Sequence, residues 1–207
     1  TLDNEARLLL SAPYLKQKDK LIEETTLTAT LDAGDSTCNV GFNTLVPTKN
    51  GQMDLRIKSA GANNVLDTDI NWHIDRKAEF SGDISFASTF SRDEDNVLTT
   101  DIKVAPGKVV FNDSVWNVTP AEIAVRPEEI RINNLGASRS GQTLAINGVA
   151  GVDSLSRLEV VLDHIDLDYV FETLALSDAV KFGGIATGRI FGESLLSKDP
   201  ILYTPRL

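Results

Sequence analysis

Two histidines and one cysteine, His73, His164 and Cys38, are the side chains in this 207-residue sequence best suited to acid–base or nucleophilic work. His164 lies between Asp163 and Asp166, a spacing that could place a carboxylate beside an imidazole for general acid–base catalysis. Both histidines, however, fall on the polar parity of alternating segments, and a solvated strand face accounts for them more simply. Asp93-Glu94-Asp95-Asn96 is acidic like a calcium loop but lacks the spaced ligands, the central glycine and the final glutamate. A lone cysteine allows neither an intrachain disulfide nor a cysteine-based metal site. No nucleophile elbow, phosphate-binding glycine loop, zinc-protease helix or dinucleotide fingerprint occurs. No pair of carboxylates sits on an apolar background where a raised pKa would be expected. The residues point to no catalytic group, no metal and no cofactor, so the expectation is a protein that is not an enzyme.

Weaker signals have plain explanations. Asn-x-Ser/Thr tripeptides begin at Asn112 and Asn117, as chance provides in a sequence rich in these residues. Trp72 and Trp116 could stack on sugar rings, but both lie within strand patterns where burial suffices. The composition is 42% hydrophobic and 24% charged, with a net charge of −10. That is a globular balance. Without a basic cluster, nucleic acid is excluded as a partner. The acidity disfavours anionic headgroups and says nothing against lipid tails. No apolar run approaches a membrane span and no signal peptide opens the chain. The abrupt ends suggest an internal fragment, with any targeting or anchoring segment outside it.

The elements that must carry these residues are strands. From Ala78 to Ser91, Phe80, Ile84, Phe86 and Phe90 share one parity with Ala78, Gly82 and Ser88, while Glu79, Ser81, Asp83, Ser85, Ala87, Thr89 and Ser91 share the other. A period of two places one set on each face of a strand. At about 3.3 Å per residue the segment would run roughly 40 Å, far beyond the usual strand. In VLDTDINWHID, Leu66, Ile70, Trp72 and Ile74 alternate in the same way with Asp67, Asp69, Asn71, His73 and Asp75. Joined at Asp75-Arg76-Lys77, the two read as an antiparallel pair covering something apolar. Similar alternation recurs in TLTATLD, MDLRIK and VLTTDIKV. Between them lie turn clusters at Asp32–Ser36, Lys49–Gly51, Gly61–Asn64, Arg92–Asn96 and Ser138–Gly141. The apolar parity switches in VVFNDSVWNV and again in SRLEVVLDHIDLD, which requires a bulge or a tight turn. Pro13 argues that LLLSAPYL is extended, and Asp168–Ala175 reads as two turns of helix capped by Asp168. Gly82, Gly148 and Gly184 each follow a large apolar residue by two positions, a pattern that reads as the head of a strand. The chain therefore reads as a single all-β domain over 1–207, a long, mostly antiparallel curled sheet of about a dozen strands with at most one short helix. The alternative is a β-sandwich.

The phrases KVVFNDSVWNV, IRINNL, GQTLAINGVAG, SRLEVVLDHIDLDYVFETL, FGGIATGRIFG and DPILYTPRL, in that order, resemble the TamB family of translocation and assembly modules within the AsmA-like superfamily. The likeness is to the versions found in Bacteroides-type bacteria. The opening LLLSAPYLKQKDKLIEETTLTATLD is similar as well, so the resemblance covers most of the chain. It implies a tapering sheet curled into a trough, the β-taco, in an envelope-spanning protein. That protein is anchored in the inner membrane and its body crosses the periplasm. The function implied is phospholipid passage between inner and outer membranes, or assembly of outer-membrane proteins, with acyl chains and an outer-membrane barrel of the TamA/BamA type as partners. The residues expected to line such a groove are Leu66, Ile70, Phe80, Ile84, Phe86, Phe90, Leu98, Ile102, Leu144, Ile146, Leu158 and Val160. The competing reading is a structural or adhesive solenoid or sandwich in which the same residues fill a dry core. Exposed sheet edges on such a fragment would favour a dimer in isolation.

Overall fold

The computed structural model describes residues 5–17, 20–48, 51–74, 80–111, 113–166 and 184–204. All regular structure among them is β: β1 (Glu5–Gln17), β2 (Lys20–Asp32), β3 (Thr37–Thr48), β4 (Gly51–Ala62), β5 (Val65–Ile74), β6 (Phe80–Arg92), β7 (Leu98–Val104), β8 (Gly107–Phe111), β9 (Ser114–Val118), β10 (Ala121–Val125), β11 (Glu129–Arg139), β12 (Gln142–Gly151), β13 (Arg157–Asp166), β14 (Ile185–Glu193) and β15 (Ile201–Tyr203). Asp168–Ala175, where the sequence suggests a helix, the Asp75-Arg76-Lys77 joint and Lys49-Asn50 of the expected Lys49–Gly51 turn lie outside the described residues.

The fifteen strands form one antiparallel sheet. It runs β1-β2-β3-β4-β5-β6-β7-β10-β11-β12-β13-β14-β15, with β8 and β9 forming a second track between β6 and β11. This track has a simple origin. β8 pairs with β9 in the same register in which β7 pairs with β10, so β7 and β8 are two halves of one long strand, as are β9 and β10. Pro106 breaks the first and Pro120 the second. Each proline lacks the N–H that the ladder needs. Side chains and backbone bridge the gap: Ala105 N donates to Ser85 O at 2.9 Å, Thr119 Oγ1 to Asn134 O at 2.8 Å and Asn134 Nδ2 to Pro120 O at 2.9 Å. With each broken strand counted as one, the fold is a meander in which every strand pairs with its sequence neighbours.

The turns fall in or next to the expected clusters. Asn63 and Asn64, both with positive φ, close the β4–β5 hairpin in two residues, the mirror-image geometry that suits strand twist. Ser140-Gly141 does the same between β11 and β12. Asp32 Oδ1 accepts from Gly34 N at 2.8 Å and shapes the β2–β3 loop. The first switch of parity, in VVFNDSVWNV, is the tight β8–β9 turn that pairs Phe111 with Ser114.

The second switch is a bulge: the β13–β14 register slips between Leu162 and Ile165, where His164 has φ 52°. Two further bulges occur, in β2 at Glu24 (φ 48°) and in β11 at Asn134 (φ 60°). Most of these irregularities lie near one line across the strands. From the β2 bulge the line passes Thr44, Leu55, Trp72 and Gly82 to the proline gap, then to Asn134 and Asn147. Bulges and glycines bend strands, and an open sheet this wide curls in any case. The curl turns one face inward. Along β4 the pattern is strict: Leu55, Ile57, Ser59 and Gly61 are half-buried while Arg56, Lys58, Ala60 and Ala62 are exposed.

Gly148 corrects one expectation. It lies in the second half of β12 rather than at its head, with φ 116°, and a Cβ there would stand 2.3 Å from Arg157 O. The close approach of β13 explains the glycine.

The sandwich alternative does not describe this fold. No large side chain among the described residues is fully buried, and the apolar core is limited to Ile74, Phe111, Ala121, Ala150, Ile165 and Phe191. The chain exposes 13931 Å², where a compact monomer of this length exposes roughly 9,500 Å². The described strands form one curled layer.

Candidate functional site, the inward face of the sheet

Because opposed residues in an antiparallel ladder share a face, the registers trace one surface across the whole sheet. Starting from Phe80, Ile84 and Phe86 on β6, that face takes in Leu66, Ile70, Trp72 and Ile74 of β5, then Met53, Leu55 and Ile57 of β4 and Val40, Phe42 and Val46 of β3. In the other direction it takes in Leu98, Ile102 and Val104 of β7, Val109 and Phe111 of β8 and Trp116 of β9. Ile123 and Val125 of β10 follow, then Ile130 and Ile132 of β11 and Leu144 and Ile146 of β12. Leu158, Val160 and Leu162 of β13 and Ile190 of β14 complete it.

All twelve residues expected to line a groove therefore lie on one face. They are half-buried, apart from Leu98, which is exposed at its strand end. The expected set was too short. Met53, Leu55, Phe42, Ile123, Ile130 and Ile132 belong to the same surface and carry the same alternation in their own segments.

The polar groups on this face are mostly satisfied internally. Thr25 and Thr44, both buried, share a hydrogen bond of 2.9 Å, and Thr44 Oγ1 also donates to Glu23 O at 3.2 Å. Ser59 and Thr68 pair at 3.0 Å. An aromatic cluster lies on the line of irregularities: Trp72 is 6.0 Å from Phe80, and Phe80 meets Phe111 edge-on at 5.8 Å. Trp72 occupies the space left by Gly82 opposite it; a Cβ there would stand 2.1 Å from the indole ring. The indole Nε1 is buried and has no hydrogen-bond partner. An unmade bond of this kind costs about 1–3 kcal/mol.

The outward face is polar, with Asp67, Asp69, Asp101, Arg56 and Lys58 among its members. His73 and His164 are exposed. His164 Nδ1 stands 2.6 Å from Asp163 Oδ1, both side chains in solvent. Asp93 Oδ1 accepts from Asp95 N at 3.1 Å and Val97 N at 2.8 Å, so the acidic loop is a side-chain-capped turn. Among the described residues no three metal-ligating side chains cluster.

At the β13–β15 end, Phe191 breaks the pattern by lying buried on the outward face, where the Arg157 guanidinium covers its ring at 3.7 Å. Beside it the Tyr203 hydroxyl donates to Glu193 Oε1 at 2.6 Å. That bond holds the phenol proton and raises the Tyr203 pKa above its ordinary value. In the β12–β13 loop, Asp153 Oδ1 accepts from the Ser156 hydroxyl at 2.8 Å, from Ser156 N and from Leu155 N. These bonds, the Ser156 hydroxyl foremost, lower its pKa.

The described residues thus form an extended, largely apolar surface on one face of the sheet. Compared with protein-family models, with curated proteins and with solved structures, the chain matches none of them.

Proposed function

We propose that the inward face is a groove for lipid acyl chains, and that the chain is a segment of a TamB-like periplasmic bridge passing phospholipid between the inner and outer membranes. The observation that carries the reading is the continuity of the apolar face across the whole sheet, with no second layer over it among the described residues. Each methylene withdrawn from water onto such a face contributes about 0.8 kcal/mol, so a chain of a dozen or more methylenes binds without any polar contact. The absence of convergent polar groups suits cargo that varies in headgroup. The wording of the second half of the sequence, similar to the TamB family, supports the envelope setting, an anchor outside this chain and an outer-membrane barrel as partner. Assistance to outer-membrane protein assembly belongs to the same resemblance. A structural or adhesive role with a dry core has less to rest on, since no large side chain among the described residues is fully buried.

The test is direct. Purified protein is extracted for lipid, and its affinity for a fluorescent acyl probe is compared with that of Ile84→Asp/Phe86→Asp, two inward positions on β6. The expected result is recovered phospholipid and a tenfold or greater loss of probe affinity in the pair, with the strand signal in circular dichroism retained. Thr30→Asp, on the outward face opposite Arg7, leaves affinity unchanged. Probe binding that ignores the inward pair would sink the reading.

A further inference from the structure

We propose that Trp72 recognises the polar end of the acyl ligand, donating its indole N–H to the carbonyl oxygen of an ester or carboxyl group. The groove would then select acyl compounds over plain hydrocarbon. The inference rests on the acyl-groove reading and adds to it a position and a chemical preference. Three observations carry it.

The first is the orphaned donor. Thr25, Thr44, Ser59 and Thr68 on the same face all have hydroxyl partners, whereas Trp72 Nε1 is buried with none. A buried donor left unmade is uncommon and calls for a reason. An indole that pairs when cargo arrives supplies one. The second is the seat. Gly82, paired with Trp72 on the neighbouring strand, leaves the space that the indole ring occupies. Among the described residues no strand lies over this face, which leaves the ring room to turn and bring Nε1 outward. The third is the setting. Phe80 and Phe111 extend the apolar surface from Trp72, giving the hydrocarbon tail a platform beside the donor. Tryptophan, with an apolar body and one polar tip, suits a boundary between tail and head.

The experiment uses methyl laurate and tetradecane, ligands of similar length with and without a carbonyl acceptor, on the full chain. In a Trp116→Phe background the emission of Trp72 reports its surroundings. The ester shifts it and the alkane does not. In Trp72→Phe, which keeps a ring over Gly82 but has no donor, the affinity ratio of ester to alkane falls about fivefold to tenfold, as one lost hydrogen bond implies. A ratio that Trp72→Phe leaves unchanged, with both ligands still bound, overturns the role of Trp72 and leaves the groove intact. Failure of the unmodified protein to bind either ligand removes the groove reading and this inference with it.

Discussion

At the scale of single residues, the informative positions are those where a side chain departs from the alternation or the backbone from extended geometry. Gly82 is one. Placing a Cβ 2.1 Å from the Trp72 ring forces the indole off its seat, and overpacking of this kind costs about 1–3 kcal/mol. Gly82→Ala is expected to lower the chemical-denaturation midpoint and to red-shift Trp72 emission; an unchanged spectrum would mean that the ring does not lie where Gly82 leaves room. Tyr203 gives the pH-dependent case. Its folded pKa is raised by the bond to Glu193. The contribution of that bond is fully present below the ordinary tyrosine pKa of about 10 and is lost as pH rises through the folded value. An absorbance titration should find one phenol ionising later in the folded protein than in the unfolded chain. Glu193→Ala should return it toward the ordinary value.

Among elements, the hairpins and bulges decide how strands follow one another. Asn64 holds φ 63° at the second position of the β4–β5 turn, where glycine is the preferred residue. Asn64→Gly is expected to raise stability by several tenths to about 1 kcal/mol, relief of left-handed strain outweighing the extra freedom of the unfolded chain; a thermal melt measures it. The bulges were partly legible. The parity switch from Leu162 to Ile165 announces the His164 bulge. Equivalent switches, from Ile22 to Leu27 and from Ile132 to Leu135, mark the bulges at Glu24 and Asn134 and could have been read in the same way. The split of two long strands by Pro106 and Pro120 was only half visible: Pro106-Gly107 reads as a break, but nothing local says that both halves continue in one register.

For the whole molecule, two properties follow from a single curled layer. Its radius of gyration should exceed the roughly 17 Å of a compact 207-residue domain, and small-angle scattering checks this; a compact value would require a second layer over the apolar face. The sheet also ends unequally. β15 is three residues long and follows Pro200, a blunt edge, whereas β1 is thirteen residues long and exposes Leu8, Leu9, Leu10, Tyr14 and Leu15. Long apolar edges recruit further strands. Self-association that grows with concentration is therefore expected of the isolated chain, reduced by Leu9→Lys and measured by sedimentation.

Alternation by itself determined the all-β class, the positions of most turns and which side chain of each strand is greasy, because a strand's two faces are a local consequence of its backbone. The twelve groove residues share a face for that reason. Tertiary structure decided what no segment contains. It set the registers that join the local faces into one surface, aligned the bulges and prolines in a transverse band that bends the sheet, and left the face without a second layer among the described residues. It also placed Trp72 over Gly82, a meeting of two strands fixed only by their pairing.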